Sequence, residues 1–275
     1  MRAVAINFIL IDCDPGYAAH WNRWYDTDHL AEFLGLPGVV GTRRYVATAA
    51  LQRTRIGPAA EGLASPDAAY CTIVLVGPDV AGAEVGRAGM AATHNRLMGV
   101  PGRMPDWERI APRYIEGFDL AAIVAGSSPV APDALLHVAH RGVLVELWDI
   151  DDAGAAARWL DTVHIPALAA AEGVLAVARF TPGTLPPVEA PWEDGQPDAG
   201  AGAAPGGAGA VRSGAAPAGP VRLLVLVQLE ADPESVLDEL RARSDGTVPP
   251  SGARRVFHGV YRTIDPLEYG FVDER

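Results

Sequence analysis

The chain has 275 residues, 49% of them apolar and 20% charged, and a formal net charge of −12. That length and composition suit a globular protein of two units of about 130 residues, each able to bury a core. The charge argues against a nucleic-acid surface, which draws on clustered Lys and Arg, and the best basic cluster, Arg53 with Arg55, is short.

In chain order, Val4 to Ile11 is a β-rich run that ends at Asp-Cys-Asp-Pro-Gly. It lacks a longer charged leader and a small-residue cleavage site, so it reads as a strand and not as a signal peptide. Tyr17 to Leu34 has helical spacing, with Trp21, Trp24, Tyr25, Leu30, Phe33 and Leu34 as its apolar positions, and Leu36-Pro37-Gly38 stops it. Val39 to Ala47 is a second strand, and a loop rich in Ala, Gly and Pro follows. Tyr70 to Val76 is a continuous apolar strand, Pro78 opens a helix to about Leu97, and Arg113 to Val124 is the last strand of the set. The order is β-α-β-β-α-β.

The same order returns. Val138 to Trp148 reads as a strand, Asp151 to Ala171 as a helix, and Val174 to Phe180 and Val221 to Leu229 as strands. Pro233 to Arg243 is a helix with Asp232 as its N-cap, and Arg255 to Ile264 is a strand. Between Gly183 and Pro220 lie 38 residues, 26 of them Gly, Ala or Pro. Such a stretch buries no core and reads as a flexible loop within the second set. The linker between the sets is read at 126–132, giving units 1–125 and 133–275.

The duplication is visible residue by residue. At an offset of 135, Arg23-Trp24-x-Asp26-Thr27-x-His29 falls on Arg158-Trp159-x-Asp161-Thr162-x-His164, Gly38-Val39 on Gly173-Val174, and Arg44 on Arg179. One offset near half the chain length means two copies of one structural unit. The ends correspond as well, with Tyr114-Ile115-Glu116-Gly117-Phe118 resembling Val256-Phe257-His258-Gly259-Val260.

The β-α-β-β-α-β order is the ferredoxin-like split βαβ arrangement. The first-helix signature goes further: an aromatic, then Asp-x-x-His, then Pro-Gly or Glu-Gly, a hydrophobic strand and a basic-aromatic pair. It resembles the dimeric α/β-barrel superfamily, and within it EthD-type proteins, over both units apart from the 183–220 loop. The resemblance implies an α+β fold in which two tandem ferredoxin-like units form an α/β barrel. The barrel can close within one chain, and a homodimer is the usual alternative. It also implies that each first helix lies outside its sheet, bordering a cleft for small molecules. Proteins of this kind include polyketide cyclases, cofactor-free monooxygenases, lactone isomerases and haem enzymes, so the fold alone does not name a reaction.

The candidate catalytic residues are His29 with Asp26 and His164 with Asp161. Three apart on an α-helix, each pair shares a face, and a carboxylate can orient an imidazole that moves protons near neutral pH. The competing reading is that Asp26 pairs with Arg44 and Asp161 with Arg179, pinning the helix, while each His bonds a loop. The first copy carries more polar neighbours, among them Asn22, Tyr25 and Asp28, whereas Leu160, Val163 and Ala167 flank His164; the first site is therefore favoured. Tyr25, Trp21, Arg44 and Trp148 are candidates for lining a substrate pocket.

Cys13 and Cys71 match no metal or redox spacing and read as reduced thiols of a cytoplasmic protein. There is no phosphate-binding glycine loop and no Gly-x-Ser-x-Gly elbow. No run approaches the ~18 apolar residues of a membrane span. No metal and no cofactor is expected, and the partner is a small-molecule ligand. The sequence points first to a cofactor-independent enzyme that moves a proton on a small apolar, aromatic or polyketide-like metabolite, by cyclisation, elimination or isomerisation. A non-catalytic binding or accessory protein and a haem-dependent or cofactor-free monooxygenase are the alternatives.

Overall fold

A computed structural model describes residues 2–36, 38–55, 68–78, 106–183 and 220–274. Its centre is a closed barrel of eight antiparallel strands. These are β1 (Ala5–Cys13), β2 (Val39–Val46), β3 (Tyr70–Val76), β4 (Ile110–Ala125), β5 (Gly142–Ile150), β6 (Val174–Pro182), β7 (Val221–Leu229) and β8 (Ala253–Thr263). Around the barrel they run β1-β3-β2-β8-β5-β7-β6-β4. The first four strands therefore stand in the order fourth, first, third, second, and so do the last four.

The helices are α1 (Ala18–Trp24), α2 (Leu30–Leu34), α3 (Ala49–Gln52), α4 (Ala153–Trp159), α5 (Ile165–Ala169) and α6 (Pro233–Asp245). Asp232 caps α6 as its sequence suggests, accepting from Glu234 N at 3.0 Å. Three expectations need correction. Residues 17–34 and 151–171 are not uninterrupted α-helices: a π turn joins α1 to α2 at Tyr25–His29 and α4 to α5 at Leu160–His164. The strand expected from Val138 begins at Gly142, because Pro132–His137 forms a 3-10 turn. The short α3, capped by Thr48, lies in what reads as loop. The helix expected over 78–97 and the flexible stretch within 183–220 fall almost wholly outside the described residues.

Side chains alternate along the strands, and the burial follows. Ile6, Phe8 and Leu10 of β1 join the main core, where Phe8 meets Tyr114 and Phe118 edge-on. Ile11 and Cys13, with half-buried Ile9, face the other way and pack with Trp21, Trp24, Tyr25 and Tyr70 under α1. The two seams between the halves differ. β4 runs along β6 from Phe118–Pro182 to Ala125–Ala176, whereas β2 meets β8 at Tyr45–Thr263 and Val46–Arg262. Beyond that short pairing the chain after β2 fills in: Arg55 lies over the Tyr261 ring at 4.9 Å and donates to Ala68 O.

The duplicated glycines have a conformational cause. Gly38 (φ 88°) and Gly173 (φ 75°) both adopt the left-handed region just before β2 and β6, where a side chain is strained. A Cβ on Gly173 would also lie 2.7 Å from the Ala231 Cβ. Gly173→Ala is expected to cost roughly 1–3 kcal/mol of stability in urea unfolding; a neutral substitution would contradict this turn geometry.

Candidate functional site

The signature residues converge on the π turn of each half. Thr27 Oγ1 donates to Arg23 O (2.8 Å) and Thr162 Oγ1 to Arg158 O (2.7 Å). This back-bonding offers the carbonyl four residues earlier a second donor and loosens the α ladder at that point. A π turn bonds i to i+5, so residues three apart no longer stack on one face. Asp26 and His29, and likewise Asp161 and His164, are thereby taken out of the register in which a carboxylate would hold its neighbouring imidazole.

The carboxylates turn to the sheet instead. Arg44 Nη1 donates to Asp26 Oδ1 at 2.5 Å, with both side chains almost fully buried, and Arg44 also donates to the Asn22 side chain. The guanidinium lies 4.3 Å from the Tyr25 ring centroid and 5.3 Å from that of Trp21. Asp26 Oδ2 accepts from Tyr269 Oη (2.7 Å) and Leu267 N (3.1 Å). In the second half Arg179 grips Asp161 through two bonds, 2.7 and 2.8 Å, in a more exposed setting. Each pair joins a π turn to the second strand of its set.

His29 is half-buried, with Nδ1 on the buried side. Trp24 stacks on its ring (4.7 Å), and Tyr25 and Phe33 meet it edge-on at 4.7 and 4.6 Å. Trp21 and Tyr25, expected to line a pocket, are buried between helix and sheet, with Trp21 packed against Tyr25 and Tyr70.

His164 has the same stacking partner, Trp159 at 4.9 Å, but a different environment. It is fully buried, and its Nε2 donates to Glu146 Oε2 at 2.6 Å while Nδ1 contacts Thr247 Oγ1 at 2.6 Å. Glu146, itself 0% exposed, also accepts from Trp148 Nε1 (3.1 Å), Ser244 Oγ (2.6 Å), Arg255 Nη1 (3.2 Å) and His258 Nδ1 (3.2 Å). Burial pushes the Glu146 carboxyl up, but His164 and then His258 outweigh it and hold it well below the usual carboxylate range. Arg255 is tied in turn to Asp245. Trp148 is thus a buried member of this network, edge-on to His164 and Trp159.

The apolar surroundings expected for His164 do not hold. Val163 is 44% exposed, and the polar groups that touch the imidazole come from β5 and from Thr247, just beyond α6. Sequence reasoning passed over Glu146, Ser244, Thr247 and Arg255 and gave His258 no role. The available signal was a lone carboxylate inside the apolar run Gly-Val-Leu-Val-Glu-Leu-Trp. The outward positions of β1 offer no such acid: Ile9, Ile11 and Cys13 stand there.

Among the described residues no group of three or more His, Cys, Asp or Glu is placed to hold a metal ion, and no helix is long and apolar enough to cross a membrane. Haem ligation by histidine needs an imidazole nitrogen with room for iron. His164 and His140 have both nitrogens engaged, the latter by Tyr45 Oη and Val138 O. His258 Nε2 lacks a hydrogen-bond partner but is packed with almost no accessible surface. These three histidines do not fit a haem.

No protein-family model and no curated protein sequence matches the chain. Solved structures do. A dye-decolorizing peroxidase from Bacteroides thetaiotaomicron superposes with a TM-score of 0.54 at 8% identity, over 100% of this chain and 96% of that one. A single-residue variant of the chlorite dismutase from Candidatus Nitrospira defluvii gives 0.49 at 10% identity, covering 99% and 95%. An anthrone oxidase-like protein gives 0.44 at 11%, covering 96% and 92%. At 8% identity the likeness to the peroxidase is one of fold, α+β with ferredoxin-like neighbours.

The Glu146 network makes a stability prediction. A depressed carboxyl pKa contributes stability that is present above the unfolded value, near 4.5, and is lost as pH falls below it. Glu146→Gln should cost about 3–5 kcal/mol at neutral pH, because charged donors are left buried without their acceptor. The gap between variant and parent should narrow as the pH is lowered below that value. Unfolding curves across pH check this, and a gap independent of pH would contradict an ionised Glu146.

Proposed function

We propose that the chain is a tandem pair of ferredoxin-like units, 1–125 and 133–275, of the EthD-like kind. We read it as a cofactor-free oxygenase of a small apolar, aromatic or polyketide-like metabolite. The first claim is supported by the shared strand order and by the signature at one offset. For the second, the observation that counts is the environment of His29. It is the half-buried imidazole of the duplicated pair, and its walls are Trp24, Tyr25 and Phe33. Apolar walls suit an aromatic ligand, and the ring is only half enclosed. His164, in contrast, is fully buried.

In this reading His29 takes a proton from an activated C–H of the bound substrate, flanked by carbonyl or aryl carbons. The resulting carbanion reacts with dioxygen to give a peroxide anion, which takes the proton back from His29; the hydroperoxide then loses water, using the carbon's second hydrogen, to leave a carbonyl. Dioxygen is the oxidant and the substrate carbon is oxidised. Asp26 and Arg44 hold the π turn in place, and Asp161 and Arg179 hold its counterpart. Tyr25 and Trp21 support the wall of the site, and Trp148 with His164 supports the second half. Simple proton-transfer chemistry, such as isomerisation or cyclisation, would share the first step and consume no oxygen.

His29→Ala is expected to abolish oxygen uptake with anthrone-type phenolic substrates while the melting midpoint moves by only a few degrees. His164→Ala should instead lower stability by about 1–3 kcal/mol, since it strips a donor from Glu146. An oxygen electrode and thermal melts on both variants decide the matter. Retained turnover in the first variant would remove the acid-base role.

A further inference from the structure

The chain after β8 crosses back over the first half. Ile264 N donates to Arg44 O, Leu267 N and Tyr269 Oη both donate to Asp26 Oδ2, and Phe271 reaches the aromatic cluster beneath α1, edge-on to Tyr70 and Tyr269. Residues 265–268 are exposed, and Leu267 holds a φ of 66°, a left-handed conformation that costs a branched side chain energy. The segment is therefore held by one carboxylate oxygen and by Phe271, beside which Tyr269 and Val272 pack, and 265–268 are exposed. Segments of that kind open locally at low free energy.

The attachment point is informative. Asp26 lies on the π turn that carries His29, and its other oxygen holds Arg44. We propose that residues 265–272 form a strap latched on Asp26, whose release loosens the π turn and uncovers the aromatic cluster beside His29. The strap is the gate through which a ligand reaches the site; its part in substrate access rests on the oxygenase reading, but its opening does not. Burial, and then the bond to Asp26, raise the Tyr269 phenol above its usual range, so the latch is a neutral O–H on a carboxylate. That bond can be cut without touching the Asp26–Arg44 pair.

Hydrogen exchange on the full chain tests the strap, without any need for turnover. In Tyr269→Phe, amides of 264–272 and of the π turn at 25–30 should exchange roughly tenfold faster, since a hydrogen bond to a charged group is lost. Amides of β5 and β7 should keep the parent rates. Phe271→Ala, which removes the second attachment, should accelerate the same two segments. Faster exchange in the strap alone, or no change in either segment, would overturn the gate. Uniform acceleration across the barrel would also overturn it, by making the segment a structural brace. Should the exchange result hold while His29→Ala keeps its activity, the strap stands and the oxygenase assignment falls.

Discussion

One buried ion pair organises the first half of this protein. Arg44 on β2 and Asp26 on the π turn lie 2.5 Å apart, each almost wholly removed from solvent. Two charges so placed must satisfy one another and their remaining donors and acceptors, because either alone in the interior costs several kcal/mol. Asn22, the faces of Tyr25 and Trp21, Tyr269 and the backbone of Leu267 complete the shell. Helix orientation, the position of the His29 ring and the course of residues 264–272 all follow from that requirement. The second half repeats the pair as Asp161–Arg179, but Asp161 is more exposed and the pair more screened.

The second half has a different buried charge at its centre. Glu146 gathers donors from β5, β8, the second π turn and the end of α6. Those bonds tie helix to sheet, which in the first half is the work of Asp26 and its shell. The two halves thus share a helix signature and differ in what surrounds the histidine. One imidazole is caged by aromatic rings at partial exposure, and the other is locked in a polar network. Chemistry on a bound molecule suits the former, and structural rigidity suits the latter.

Much of this was legible in the sequence. Gly38 and Gly173, which recur at the offset of 135, prove to be left-handed positions just before β2 and β6. Pairing of Asp26 with Arg44 and of Asp161 with Arg179 was readable as the plainer alternative to catalysis. The π turn was not, because helical periodicity presumes the α ladder, and Thr27 or Thr162 back-bonding shows no pattern of its own. Glu146 stayed hidden because its partners Ser244, Arg255 and His258 lie about a hundred residues further along the chain. Neighbours on a helix, such as Leu160 and Val163, say little about what a strand and a distant turn bring to the same ring.

The most direct test of this account is the coupling between Asp26 and Arg44. Asp26→Asn, Arg44→Met and the double variant can be compared by urea unfolding of the full chain. If the pair is the buried constraint described, each single change leaves a charge without its partner, and the double variant is less damaged than the sum. The expected coupling is about 2 kcal/mol or more. Additive losses, with a coupling near zero, would show that the helix and the His29 ring are held by packing alone, and the central role given to this pair would be lost.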